Sequence, residues 1–251
     1  MKIFDAHFHI IDPRYPIIEN QGYTPPAYTG MEYIKETAPL DISGGAIVSG
    51  SFQGYDQTYL IDTLAFFGKE YVGVTQLPPD TDEKEIEQLH EKGVRAVRFN
   101  VKRGDGISEA AIEKLARLVY ETAGWHAEFY AESSILKKMG ALIQRLPKAS
   151  IDHLGLTKEG FPELVKLAAA GVRVKATGFG RTEVNVPQAI LSIFRENPDA
   201  LLFGTDLPST RAPRPFQHSD IELIVDTLGE RNAKRVLSDN ARHWYGLERD
   251  Y

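Results

Sequence analysis

Four residues of this sequence have types and positions that suit chemistry on a small molecule, and two of them lie close together at the start. His7 and His9 are separated only by Phe8 in a short, β-rich run. Alternate side chains of a strand share one face, so the two imidazoles point the same way, together with Ile3 and Asp5. Two imidazoles on one face can bind one metal ion or present two hydrogen-bond donors.

His153 and Asp206 are the other two candidates, and each closes a later apolar run. A carboxylate placed directly after a strand is costly to bury without a cation or a hydrogen-bond donor as its partner. Taken singly, a histidine bonded to a carbonyl or an aspartate that caps the next turn explains each position. Taken together with His7 and His9, the two residues favour a catalytic site.

The elements that must position these residues alternate between short β-rich segments and segments with helical periodicity, which predicts a parallel sheet. Eight such units close most naturally into a (β/α)₈ TIM barrel, slightly distorted or regular, in one domain over residues 1–251. An open doubly wound sheet would need a glycine-rich phosphate turn after its first strand, and the sequence has none there. The predicted strands are Lys2–Phe8, Gly45–Gly50, Tyr71–Gln76, Val94–Asn100, His126–Glu132, Ser150–His153, Val172–Thr177 and Leu201–Asp206.

The carboxyl ends of barrel strands form the mouth in which active sites lie, and the four candidates fall at those ends. The proline-rich segment Ile11–Leu40 is predicted to be a long loop over this mouth, with a short helix at Met31–Thr37. Its tyrosines would be exposed and would line either the mouth or a subunit contact of a homo-oligomer; they are Tyr15, Tyr23 and Tyr28.

Basic residues gather at the same strand ends, although the whole chain is acidic. Guanidinium groups bind carboxylates through two parallel hydrogen bonds. The sequence therefore predicts a small anionic metabolite as the ligand, with Arg98, Arg103 and Arg181 as its best candidate partners. The remaining basic residues near the mouth are Lys102, Arg211 and Arg214.

The fifth predicted strand places Glu128, Tyr130 and Glu132 on one face. If that face points inward, Tyr130 can donate a hydrogen bond to the substrate, and Glu132 can bind a metal or orient a histidine. If it points outward, Phe129 lines the core and the carboxylates are structural. We favour the inward arrangement.

Composition excludes several classes of function. The chain has 251 residues, a formal net charge of −6 and no cysteine. The negative charge disfavours nucleic acid and anionic membranes as partners. Without thiolates, any metal must be held by histidines and carboxylates. No signal-like core follows the first residues, and no run of about 18 apolar residues occurs. We therefore expect a cytoplasmic protein.

Five motifs along the chain resemble those of the amidohydrolase superfamily, and within it the lactone hydrolases that include the pyrone-dicarboxylate lactonases. They are Asp5–His9, Gly93–Asn100, Gly124–His126, Asp152–Gly155 and Gly204–Pro208, and the resemblance extends to the closing Asn240–Gly246. The resemblance implies that His7, His9, His153 and Asp206 are active-site residues. It also implies that a dicarboxylate substrate is contacted by Arg98, Arg103, Tyr130 and Arg181.

The chain departs from the two-metal members of this superfamily. Those members carry a carboxylated lysine or a glutamate at strand 4 and a histidine at strand 5, where this chain has Arg98 and Tyr130 or Glu132. A two-metal site is therefore not expected. One zinc or manganese ion on His7, His9 and Asp206, with Glu132 or His153 as a further ligand, stays open beside a metal-free site.

The resemblance implies a hydrolase that opens a small carboxylate-bearing lactone, with Asp206 as the general base. Leu207 and Ser209 stand beside Pro208 where the family favours tryptophan and histidine, so the particular lactone is not specified. A metal-dependent decarboxylase of the same superfamily and a non-catalytic barrel that binds an anionic metabolite are the alternatives. A metal-dependent deoxyribonuclease would carry a glutamate near strand 4, and Arg98 argues against it.

Overall fold

Eight parallel strands form a nearly closed barrel in the computed structural model, which describes residues 1–103 and 106–247. Neighbouring strands are hydrogen-bonded in sequence order from β1 to β8. Beyond the strand ends, Asp206 N donates to His7 O and His9 N donates to Leu207 O, each at 2.7 Å. The predicted TIM barrel is confirmed. Its strands are β1 Ile3–Phe8, β2 Ile42–Val48, β3 Tyr71–Thr75, β4 Val94–Phe99, β5 His126–Phe129, β6 Ala149–Ile151, β7 Arg173–Ala176 and β8 Leu201–Phe203.

Helices follow the strands and cover the outside of the barrel. Several begin where the sequence offers a side-chain cap: Asp82, Ser108 and Asn185 each accept a hydrogen bond from a backbone amide of the first turn. No helix of the described residues is both long and apolar enough to cross a membrane. The helices are α1 Gly30–Thr37, α2 Thr58–Phe67, α3 Glu83–Glu91, α4 Glu109–Ala123, α5 Leu136–Arg145, α6 Phe161–Ala169, α7 Val186–Glu196, α8 Ser219–Leu228, α9 Glu230–Lys234 and α10 Asn240–Trp244, with a π-helical turn at Arg235–Asp239.

Two apolar layers hold the barrel together. The larger lies between the strands and the outer helices, where Val97, Phe99 and Phe129 are buried. The smaller fills part of the barrel interior and continues into α10, whose end closes the amino-terminal side: the rings of Phe4 and Tyr245 are 5.8 Å apart. The interior members are Phe4, Ala6, Ala46, Val48, Val72, Val74, Ala96 and Leu202.

β1 corrects one expectation from the sequence. Its pairing register with β2 shifts between Ile3 and Asp5 and again between Asp5 and Phe8, so regular alternation along the strand is broken. Ile3 belongs to the outer apolar layer, and Asp5 accepts hydrogen bonds from Tyr33 of α1 and from Thr205. The prediction that Ile3 and Asp5 share the inward face with the two histidines was therefore wrong.

The long segment between β1 and β2 reaches the mouth, as expected. Gln21 exchanges hydrogen bonds with Arg103, and Arg211 donates to the backbone oxygen of Asn20. The short helix predicted here is confirmed as α1. Tyr28, which we expected to be exposed, is buried: its backbone N–H and C=O both pair with Ile11, and its hydroxyl donates to Glu36.

Candidate active site

His7 near the end of β1 and His9 directly after the strand face the interior just below the mouth. His9 Nδ1 lies 2.7 Å from the carbonyl oxygen of Val48, which can only accept, so Nδ1 carries the hydrogen. His9 Nε2 then faces Asp206 Oδ1 at 3.6 Å, and His7 Nε2 lies 3.8 Å from the same oxygen. The strand thus directs two imidazole nitrogens at one carboxylate.

Sharp backbone turns deliver His153 and Asp206 to the same point. Both residues follow the last residues of their strands and have positive φ values, 52° and 60°, in the left-handed region that non-glycine residues rarely adopt. His153 Nδ1 is 2.6 Å from the hydroxyl of Thr177, and its Nε2 is 4.0 Å from Asp206 Oδ1. Such backbone conformations cost about 1–3 kcal/mol each and often mark functional sites.

The structure therefore brings together four residues that lie far apart in the sequence. Asp206 Oδ1 faces three imidazole nitrogens at 3.6–4.0 Å, a spacing that leaves room for one small atom among them. Burial lowers the pKa of His153 to about 3, and burial together with Lys175 holds the pKa of His7 well below its ordinary value. These two imidazoles are neutral near pH 7 and can each donate from one nitrogen.

Asp206 is ionised because of its cationic neighbour. Burial opposes the charge, but Arg181 outweighs that effect: its Nη2 lies 2.6 Å from Asp206 Oδ2. The guanidinium and the surrounding imidazoles hold the pKa of Asp206 well below its ordinary value. The carboxylate thus carries a charge although its side chain is fully buried.

Two groups of donor atoms could hold a divalent ion. One consists of His7, His9 and Asp206, and the other of His7, Asp152 and His153; within each group the ligand atoms lie within 4.8 Å of one another. Imidazole and carboxylate donors in this number suit zinc or manganese. Glu132 lies outside both groups, because it follows the end of β5 and pairs with Lys102 at 2.9 Å near the surface.

A small cavity of about 40 Å³ opens above these residues and has a cationic wall. Arg181, Arg103 and Arg211 line it from three loops. Tyr130 faces inward, as favoured from the sequence, and its ring lies between Arg98 and Arg103, whose guanidinium carbons are 5.1 and 5.9 Å from its centre. Lys102 and Arg214 point elsewhere and pair with Glu132 and Asp220.

Arg98 lines the cavity but is committed to the protein. Its Nε and Nη2 donate to Asp152 Oδ2 at 3.2 and 2.7 Å, and its Nη1 donates to the backbone oxygen of Ser49 at 2.9 Å. The side chain is 4% exposed. Its position makes it a support for Asp152 as well as part of the cavity wall.

The sequence favoured an inward Glu128 but did not reveal the roles of Lys175 and Asp152 directly beneath the histidines. Lys175 of β7 lies 2.5 Å from Glu128 Oε2 of β5, and Asp152 Oδ1 lies 3.4 Å from His7 Nδ1. All of these side chains are fully buried. The available signal was a lysine between valine and alanine in a strand with no exposed face, since lysine is rarely buried without a partner.

Comparison with known proteins shows the family of this chain. The family model described as amidohydrolase matches residues 4–247. The 4-sulfomuconolactone hydrolase of Hydrogenophaga intermedia is 26% identical over 97% of this chain and 88% of that protein. The 2-pyrone-4,6-dicarboxylate hydrolase of Comamonas testosteroni is 28% identical over 97% of this chain and 90% of its own length.

Solved structures share the fold. A probable 2-pyrone-4,6-dicarboxylic acid hydrolase of Acinetobacter baumannii, solved with citric acid bound, superposes with a TM-score of 0.82 at 20% identity, covering 98% of this chain and 100% of that one. A putative 2-pyrone-4,6-dicarboxylic acid hydrolase of Pseudomonas putida gives a TM-score of 0.85 at 23% identity, covering 99% and 98%. With a family match over nearly its whole length, this chain belongs to the amidohydrolase family.

Proposed function

We propose that this amidohydrolase opens a small lactone that carries one or more carboxylates. One observation carries the proposal: the ionised Asp206 faces three imidazoles in a buried cavity whose wall is formed by arginines. A carboxylate base beside neutral donors suits the attack of water on a carbonyl. A wall of guanidinium groups suits a substrate with negative charge away from the reacting carbon.

The relatives support this choice of substrate class. Two different lactone hydrolases match the chain over nearly its full length, and the ring named for each bears anionic groups, carboxylates in one and a sulfonate in the other. The bound citric acid in the Acinetobacter structure is also a small polycarboxylate. These ligands share a compact frame with several negative charges, and the proposed substrate is a lactone with that property.

In the proposed reaction, Asp206 takes a proton from a water molecule, and the water oxygen forms a bond to the lactone carbonyl carbon. Negative charge then develops on the carbonyl oxygen, where imidazole N–H groups of the histidine cluster stabilise it. The bond from the carbonyl carbon to the ring oxygen breaks, and the ring oxygen receives the proton from Asp206. The product is an open-chain acid, and the carboxylate of Asp206 is restored.

Arg181 links substrate binding to this chemistry. While it is paired with Asp206, the carboxylate is a weak base, because the guanidinium stabilises the ionised form. A substrate carboxylate that engages Arg181 would share this positive charge and strengthen the base. The proposal therefore predicts that a lactone without a carboxylate binds weakly and also leaves Asp206 less reactive.

A divalent ion, when bound by His7, His9 and Asp206, would supply Lewis-acid polarisation of the lactone carbonyl. The chain's own residues perform the remaining roles in either case. Asp206 moves the proton, Arg181 and Arg103 hold the substrate's anionic groups, and the buried walls keep bulk water away from the reacting carbon.

The test is a substrate panel assayed by loss of ring absorbance and by acid release. We expect hydrolysis of 2-pyrone-4,6-dicarboxylate or 4-sulfomuconolactone, with kcat/KM at least about tenfold above that for unsubstituted 2-pyrone, since one charge-assisted hydrogen-bonded contact is worth about 1.5–3 kcal/mol. Arg181→Met should remove most of this preference. Arg195→Met, a change at an exposed arginine of α7, is the matched control and should keep it.

Other results of the panel would contradict the proposal in distinct ways. Carbon dioxide release from a carboxylated substrate, without ring opening, would identify a decarboxylase. Binding of citrate without turnover of any anionic lactone would identify a barrel that only binds an anionic metabolite.

A further inference from the structure

A lysine lies inside the barrel, where the proposed reaction makes no direct use of it. Lys175 is fully buried on β7, and its Nζ is 2.5 Å from Glu128 Oε2. Burying a lysine and a glutamate costs several kcal/mol per ion before their mutual attraction is counted.

Lys175 contacts the site through Nδ1 of the His7 imidazole. Nζ lies 3.2 Å from His7 Nδ1 with hydrogen-bonding geometry. Two carboxylate oxygens, Asp152 Oδ1 and Glu128 Oε1, lie 3.4 and 3.7 Å from the same nitrogen, but within the described residues neither has an aligned hydrogen-bond partner. His7 Nδ1 therefore has one donor and two acceptor oxygens as neighbours, and only the donor is aligned with it.

The chemistry of the two groups then determines where the imidazole hydrogen sits. An ammonium group can only donate, so His7 Nδ1 must accept, and a neutral imidazole that accepts at Nδ1 carries its hydrogen on Nε2. His7 Nε2 is buried and, among the residues described, has no hydrogen-bond partner. Its nearest acidic oxygen is Asp206 Oδ1 at 3.8 Å, so the N–H group points into the space above the carboxylate.

We propose that Lys175, held by Glu128, is a positioning residue that fixes His7 in the tautomer with its hydrogen on Nε2. In this tautomer His7 is a donor for the developing oxyanion and not a metal ligand through Nε2. If Lys175 were absent, Nδ1 could donate to Asp152 Oδ1, and Nε2 would offer a lone pair to an ion shared with His9 and Asp206. Lys175 thus selects direct hydrogen bonding over metal binding at this site.

The catalytic meaning of the tautomer rests on the proposed lactone hydrolysis, but the tautomer itself is measured without substrate. Long-range ¹H–¹⁵N correlation spectra of the wild-type protein distinguish protonated from unprotonated imidazole nitrogens, and His7→Gln identifies the signals of His7. We expect a protonated Nε2 and an unprotonated Nδ1. A protonated Nδ1 in the wild-type protein would overturn the proposal, and this result needs no variant of the buried pair.

Zinc affinity gives a second, independent measurement. The double variant Lys175→Met/Glu128→Met removes both charges, so neither ion is left unpaired. It should bind zinc at least about tenfold more tightly than the wild-type protein in calorimetry, the scale on which outer residues tune metal sites. Lys148→Met, which loses a lysine bonded to Trp244 O at the amino-terminal end of the barrel, should match the wild type. Equal zinc affinity in the double variant and the wild type would contradict the proposal.

Discussion

The barrel interior has two unlike halves. The part contributed by β1, β2, β3 and β8 is packed with small and medium apolar side chains such as Ala46, Val74 and Leu202. The part contributed by β4 to β7 holds two cations and two carboxylates, all nearly or fully buried: Arg98, Glu128, Asp152 and Lys175. The same barrel thus contains an ordinary apolar core beside a neutral cluster of four charges.

The difference between the halves reflects what each one supports. The apolar half needs only close packing, and any side chains of suitable volume fill it. The charged half lies beneath His7 and pairs its members at short distances, 2.7 Å between Arg98 and Asp152 and 2.5 Å between Lys175 and Glu128. Apolar side chains would fill that space too, so the charges are best explained by the orientation they give to the histidine above them.

The largest expected effect is on the free energy of unfolding. The charged half and the apolar half should respond differently when a second substitution is added to the first. Lys175→Met removes the close partner of Glu128 and leaves Arg98 Nε, 3.5 Å from Glu128 Oε1, as its remaining cationic neighbour. The loss should lower the free energy of unfolding by about 3–5 kcal/mol. The double variant Lys175→Met/Glu128→Met should regain most or all of this loss, because well-packed apolar residues can replace a buried ion pair. Chemical denaturation of the wild type and both variants measures the difference.

Leu202→Ala in the apolar half is the matched control. It should lower the free energy of unfolding by about 2–5 kcal/mol through the cavity it leaves. Adding Val74→Ala to Leu202→Ala should lower the free energy of unfolding further instead of restoring it. If the double change in the charged half were also additive, the pair would not behave as a coupled buried ion pair.

The sequence predicted the barrel and the candidate residues at its strand ends, because both depend on local patterns. Strand-forming runs identified all eight strands, and the rule that active sites lie at strand ends selected His153 and Asp206. Strand boundaries were less accurate: β8 ends at Phe203 and β5 at Phe129, because the chain turns out of the sheet before the predicted ends. Glu132 was consequently considered as a metal ligand, but it lies beside Lys102.

The pairings among the buried charges beneath the histidines could not be predicted, because they depend on contacts between distant strands. The Lys175 pair joins residues 47 positions apart, and nothing local to Lys175 names Glu128 as its partner. The register shifts in β1 were equally hidden, since a bulge changes the side-chain alternation without a distinctive residue in Asp5–His9. These irregular features direct His7 into the site and turn Asp5 away from it.

A smaller effect on the free energy of unfolding is expected at Asp5, and its pH dependence differs from that of the carboxylates paired with cations. Burial raises its pKa to about 6, although hydrogen bonds from Thr205, His7 and Tyr33 oppose the rise. A carboxyl whose pKa is raised on folding contributes stability below its unfolded pKa of 3.8, and that contribution is lost as the pH rises through about 6. The unfolding free energy of the wild type relative to Asp5→Asn should therefore fall by about 2–3 kcal/mol between pH 4 and pH 6.5.

Denaturation curves at several pH values test this expectation. Asp41→Asn, at an exposed aspartate just before β2, is the control and should show no such relative change. A constant difference between the wild type and Asp5→Asn over the same range would mean that Asp5 is stabilised as an anion, like Asp206, and not as a neutral acid.

The central claim is that Asp206 is the base for water attack on an anionic lactone, and turnover by Asp206→Asn tests it most directly. We predict that kcat falls by about 10²–10⁴-fold, the usual contribution of general acid–base catalysis, while citrate binds at least as tightly, since Arg181 loses its internal partner. Asp199→Asn, at a surface aspartate paired with Arg235, should retain wild-type turnover. Turnover by Asp206→Asn within tenfold of the wild type would contradict the account.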